Sequence, residues 1–271
     1  MANIKHPGNQ QIVRNLAVYE EYQNKDQEKS CELFHRALEL NPTDVFIRQE
    51  VIAAEKAKGT NPENILRIYL DAPKEQRDSY LYLGLVQAFE NANKWKEASE
   101  YMLTVNRQWS DDVKSWYNFC IEYADYLIDQ SKPSEALQWI SRSTPTPSNL
   151  SNINLPIDYF YRQREFFITG LAYKIQGDKA KSQEFFRKVT EEPTGFLFNE
   201  GVENNLHEMR FYVALAMREL GMDTAAQGML IGINDYRLKH GLVTLHLEKS
   251  DLNRWTLLDP LAEPSSAAVE H

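Results

Sequence analysis

Lys174 and Arg218 occupy matching places in two similar stretches of the sequence, Phe166 to Thr190 and Arg210 to Ile233. Cations repeated in this way can bracket a carboxylate or an acidic peptide, or they can pair at home with Glu219 and its acidic neighbours. The other candidates for chemistry point to no reaction. The six histidines are His6, His35, His207, His240, His246 and His271, and no two are read as sharing a helix face at metal-ligand spacing. Cys31 and Cys120 each stand among apolar helical residues without a Cys-x-x-Cys pattern, so buried packing is expected, not a disulfide framework or a zinc site. Adjacent carboxylates such as Glu20-Glu21, Asp111-Asp112 and Glu191-Glu192 read as helix ends and solvated faces, because adjacency does not place two acids in one pocket. The chain has no Gly-x-x-x-x-Gly-Lys, no Gly-x-Gly-x-x-Gly after a strand and no Gly-x-Ser-x-Gly. Neither a cofactor, a metal nor a catalytic residue is expected, and the chain is read as not an enzyme.

The elements that must position these residues are helices. In Phe166 to Thr190, Phe166, Phe167, Gly170, Leu171, Tyr173 and Ile175 follow the three- and four-residue spacing of one apolar helix face. Gly177 suits a left-handed helix end, and Asp178 can accept from the free amides of the next helix. A second face follows in Ser182, Phe185, Phe186 and Val189. So short a connection makes the two helices antiparallel, with Gly170 and Ser182 small enough for close approach. Gly and Pro are sparse and long alternating β-branched runs are absent, which argues for helices throughout.

Other stretches repeat the unit. Ile12, Leu16 and Tyr19 mark a helix, and Ser30, Phe34 and Ala37 its partner, stopped at Asn41-Pro42. Val45 to Ala57 and Ile65 to Leu70 form a second pair around Gly59 to Pro62. Tyr80, Leu83 and Gly84 with Ala98 and Met102 form a third, and Trp116, Phe119, Cys120 and Tyr123 with Ala136 and Ile140 a fourth. The opening stretch is the fifth. Ala214, Met217, Gly221, Ala226 and Leu230 follow in step as the sixth. These landmarks, at a period near 34, resemble the tetratricopeptide repeat family. That resemblance implies an all-α fold, an α-α superhelix of antiparallel helix pairs, of the kind that binds a peptide or partner domain.

More narrowly, Arg36 to Pro42, the linker from Asn149-Leu150 to Leu155-Pro156, Gly170 to Tyr173, Gly177-Asp178, Phe211 to Ala216 and Glu219 to Gly221 resemble the C-terminal repeat region of large bacterial proteins of unknown function. In that family a β-rich domain suited to carbohydrate precedes the repeats, and this chain has no counterpart of it. It also departs from the family's glycine-rich acidic loop, with Ser151-Asn152-Ile153-Asn154 in its place. In tetratricopeptide arrays the first helix of each pair lines a concave groove. The resemblance therefore puts Tyr117, Ile121, Phe167, Leu171, Lys174, Phe211, Leu215 and Arg218 in the groove and Arg164 near its edge. Lys114 and Asn118 are at best a fragment of the lysine and asparagine clamp of chaperone-binding relatives.

The expected function is a noncatalytic interaction scaffold for a peptide or a domain of a parent protein. The alternative is the helical module of a carbohydrate-processing protein, with sugar stacking on Tyr159, Phe196 or Phe198. Thirty basic against 39 acidic residues give a charge of −9, which disfavours nucleic acid. The opening MANIKHPGNQQ lacks a signal-peptide core, and nothing approaches roughly 18 consecutive apolar residues, so a cytoplasmic protein is expected. The organisation expected is repeats over 1–142, a linker or long loop over 143–157, repeats plus a capping helix over 158–259, and a flexible tail over 260–271. A second insertion is expected from Glu191 to Leu206.

Overall fold

A computed structural model describes residues 8–105, 113–151, 162–191, 202–249 and 254–258, without the side chains of 202–209 and 256–258. Thirteen α-helices and one two-stranded ribbon lie in these residues. Five of the starts follow from short polar side chains: Asn9, Asp26, Asp44, Asn61 and Asp178 each accept a hydrogen bond from a main-chain N–H of the helix they open. Gly177 and Gly221 end their helices with φ of 81° and 74°, the left-handed conformation that a residue without Cβ adopts freely.

The chain divides into two compact units, Met1–Ser110 with Pro147–Asn152, and Asp111–Thr146 with Ile153–His271. Unit 1 contains α1 (Gln10–Tyr19), continued by a π-turn, Glu20–Asn24, then α2 (Gln27–Leu40), α3 (Val45–Ala57), α4 (Pro62–Leu70), the short α5 (Lys74–Asp78), α6 (Tyr82–Asn91) and α7 (Trp95–Thr104). Each long helix packs on the next, and α4 packs on α6. Val13, Ala17, Cys31, Phe34, Ala37, Ile47, Val51 and Ala54 fill the seam of the first two pairs. Arg48 is buried there, donating to the carbonyls of Pro42 at 2.7 Å and Ile68 at 2.9 Å. Tyr80, expected within a first helix, instead precedes α6 and is exposed.

Unit 2 contains α8 (Val113–Asp129), α9 (Pro133–Ser141), α10 (Gln163–Ile175), α11 (Lys179–Thr190), α12 (Val202–Glu219), α13 (Asp223–Lys239), β1 (His246–Lys249) and β2 (Trp255–Leu258). The first helices of each pair, α8, α10 and α12, lie side by side, and α9 and α11 each pack between two of them. This is the packing order of tetratricopeptide-like helix pairs. Gly170 is as tightly placed as its type suggests, but against Phe186, whose Cδ1 would lie 2.7 Å from an added Cβ.

The units divide at 110/111 and not at the boundary of 142 expected from the sequence. The pair α8 and α9 goes with the C-terminal pairs because α8 packs on α10 and α9 on α10. Part of the polar stretch expected as a linker is integral to unit 1: Leu150 is fully buried, and the Asn149 side chain donates to the carbonyls of Met102 and Val105 at the end of α7. The second insertion is shorter than expected, since α12 begins at Val202.

The capping helix is corrected to a ribbon. β1 and β2 run antiparallel, with His246 opposite Leu258 and Lys249 opposite Trp255, and β2 packs on α12. Asn234 holds the approach extended, since its side chain donates to the Leu245 carbonyl at 2.9 Å and accepts from the Leu245 N–H at 2.8 Å. Both main-chain groups of Leu245 thereby find the partners that a helix would otherwise supply.

Candidate functional site

The residues assigned to the groove fall into two sets. Tyr117, Ile121, Phe167, Leu171 and Leu215 are buried members of one hydrophobic core, with Ala124, Ile168, Phe186 and Val189 among their neighbours. They do not line an open surface. Tyr117 donates its hydroxyl to Glu165 Oε2 at 2.8 Å, and Arg162 Nε lies 3.0 Å from that oxygen. Burial, with Glu165 adding to it, pushes the Tyr117 phenol far above its ordinary range. The spacing of four that joins 117 to 121 and 167 to 171 marks the stripe where first helices meet each other and their partners. A single first helix shows one apolar face, and nothing local to it tells a seam from a groove wall.

The second set is polar and lies along the same layer. Arg164 donates to Glu122 Oε1 at 3.0 Å and stands 3.8 Å from Asp125 Oδ2. Lys174 donates to Glu219 Oε2 at 2.6 Å, and Glu219 is only 5% exposed. Arg218 pairs with Asp223 at 2.6 Å and lies 4.7 Å over the ring centre of Trp255. Phe211 is half-buried on α12. Of the two readings of Lys174 and Arg218, pairing at home is the one observed. Bracketing an outside carboxylate is corrected: Lys174 already holds the carboxylate of Glu219.

The ribbon joins this ladder. Arg254 Nη1 lies 2.9 Å from Asp125 Oδ1 and 2.9 Å from Asp129 Oδ1. The Trp255 main-chain N–H donates to Glu219 Oε1 at 3.3 Å, and its ring, with Leu247, packs against the core. Asp129 is lifted above the ordinary carboxylate range by burial, opposed by Arg254 and assisted by Asp125. Sequence reasoning missed Asp125, Asp129 and Arg254. Only the alternation Leu245-x-Leu247 and the one-turn spacing of Asp125 and Asp129 hint at them, because Arg254 and Asp125 lie 129 positions apart.

Unit 1 offers different chemistry. A cleft of about 560 Å³ lies between α1 and α3, lined by Arg14, Asp44, Phe46 and Glu50 among others. Arg14 forks onto Glu50 there, and Phe46 is 70% exposed at the rim. Between α2 and α3, Cys31, His35 and Glu55 converge. Cys31 donates to Glu55 Oε1 at 3.2 Å, and His35 Nε2 is 2.6 Å from the same oxygen. Thr60 donates to the other oxygen. Burial raises the Glu55 carboxyl, but the hydrogen bonds from Thr60, His35 and Cys31 outweigh it and hold the group down to about 2. The expectation that Cys31 and Cys120 are buried is met; the expectation that Cys31 only packs is not.

Tyr159, Phe196 and Phe198, the aromatics assigned to a sugar, lie outside the described residues. Among the described residues, no helix is long and apolar enough to cross a membrane. No family model matches the chain, and no curated protein matches it. Among solved structures, it is similar to the TPR2AB-domain:pHSP90-complex of yeast Sti1 at 14% identity, over 86% of this chain and 92% of that one, with a TM-score of 0.29. So distant a likeness transfers no property.

Proposed function

We propose that the chain is a noncatalytic protein-interaction scaffold, and that the first-helix layer of unit 2 receives an extended protein segment in which a cation adjoins an aromatic ring. The observation that carries this reading is the chain's own Arg254-Trp255, seated on Asp125, Asp129 and Glu219. A main-chain N–H donated to a nearly buried carboxylate gives affinity for any extended segment. The flanking acids and the Arg218 guanidinium select the side chains beside it. The ribbon is then an intramolecular occupant that a partner replaces. A protein partner in the cytoplasm fits the acidic chain; nucleic acid does not, since the layer presents carboxylates to a polyanion.

The test is a labelled peptide spanning residues 246–258, titrated against the full chain carrying Arg254→Ser and Trp255→Ser, with circular dichroism confirming its helices. Saturable binding is expected, weakened about tenfold or more in the unsubstituted chain by its own tethered ribbon. Asp125→Asn with Glu219→Gln should abolish it. Absence of binding to the released chain would sink the reading. Calorimetric heat with oligosaccharides in its place would move the function to saccharide binding.

A further inference from the structure

The helix register of α2 places Cys31 and His35 one turn apart on one face, and α3 brings Glu55 against both. One ligand atom from each of the three lies within 4.8 Å of the others. Cys31 is buried, Glu55 is mostly covered, and His35 is the half-exposed member on the solvent side. Thiol, imidazole and carboxylate are three kinds of donor that a zinc ion accepts together. They meet at a single oxygen, Glu55 Oε1, while Thr60 fixes the opposite oxygen. An outer partner of that kind orients a ligating carboxylate.

We infer that Cys31, His35 and Glu55 bind a zinc ion that fastens α2 to α3 in unit 1, with the fourth position open to water beside His35. Binding replaces the two hydrogen bonds on Glu55 Oε1 by metal bonds. The Cys31 thiol gives its proton to solvent and ligates as thiolate, the Nε2 proton of His35 passes through solvent to Nδ1 so that Nε2 ligates as neutral imidazole, and Glu55 ligates as carboxylate. Tetrahedral zinc with ligands at about 2.0 to 2.3 Å holds its donors roughly 3.3 to 3.7 Å apart. The Cys31 contact at 3.2 Å is near that spacing, and the His35 contact at 2.6 Å has to open. The exposed His35 ring is the one free to turn. This inference stands apart from the binding face of unit 2.

The experiment is titration of the full chain with cobalt(II) as a spectroscopic stand-in, followed by zinc(II). One equivalent of cobalt should give a thiolate-to-metal charge-transfer band with the ligand-field bands of a tetrahedral ion, bleached by zinc. The charge-transfer band should vanish in Cys31→Ala and persist in Cys120→Ala. Thr60→Val should weaken cobalt binding about 10- to 100-fold. If Cys31→Ala does not fold, His35→Ala decides, since that side chain is half-exposed: it should lower cobalt affinity at least tenfold. No charge-transfer band, a band that survives in folded Cys31→Ala, or an unchanged affinity in His35→Ala would overturn the site.

Discussion

In unit 2, Arg164, Lys174, Arg218 and Arg254 all meet carboxylates of their own unit along one helix layer. In unit 1 the facing first helices, α1 and α3, leave a cleft around Arg14 and Glu50, and the cluster of Cys31, His35 and Glu55 lies elsewhere, between α2 and α3. Both units stack helix pairs, so the scaffold does not decide where polar side chains go. What decides is whether a later segment reaches the layer. Arg254 and Trp255 do so in unit 2, and the acids of α8 and α12 are arranged to receive them.

The largest effect tests whether unit 2 is held by its core or by its charges. Phe186→Ala removes a fully covered ring from against Gly170 and Phe167 and should cost about 3–5 kcal/mol in urea unfolding. A cost below that of any charge substitution would reverse the comparison. Next comes Tyr117→Phe, which leaves Glu165 with Arg162 but removes a buried hydrogen bond to a charged group. Its expected cost is roughly 1.5 to 3 kcal/mol, with peptide capture unchanged in the folded protein. Loss of capture at full stability would return Tyr117 to a groove. The smallest effect is the coupling of Arg254 to Asp125. A double-mutant cycle should give below about 1 kcal/mol, because Asp129 keeps Arg254 paired when Asp125 is removed.

Much of the fold was legible because helix signals are local. Asp178 sits where a cap is needed, Gly177 where a helix must end, and Phe34, Phe186 and Ala136 at the spacing of a buried face. The binding face was legible only in part. Arg164, Lys174 and Arg218 were found, and so was Glu219 as a partner at home, yet Glu122, Asp125 and Asp223 were not, since register along one helix says nothing of which acid stands opposite. Five of the six apolar residues assigned with them belong to the seams, all but Phe211, for the same periodicity describes a helix packed on one neighbour or on two. Cys31-x-x-x-His35 is a one-turn spacing in plain view, but it acquires meaning only when α3 delivers Glu55.

Asn149 reaches back 44 positions to the Val105 carbonyl, after α8 and α9 have already been contributed to the other unit. Unit 1 is therefore not a contiguous stretch of chain. On the ribosome its last backbone acceptors wait until residues 147–151 emerge, by which time the first pair of unit 2 has been synthesised. Closing so long an excursion costs loop entropy that a nearest-neighbour array avoids. A gene fragment stopping at residue 110 would lack the Asn149 cap and the buried Leu150. Its α7 should fray in hydrogen exchange while α1 to α3 stay protected, so the order of synthesis and the order of completion differ in this chain.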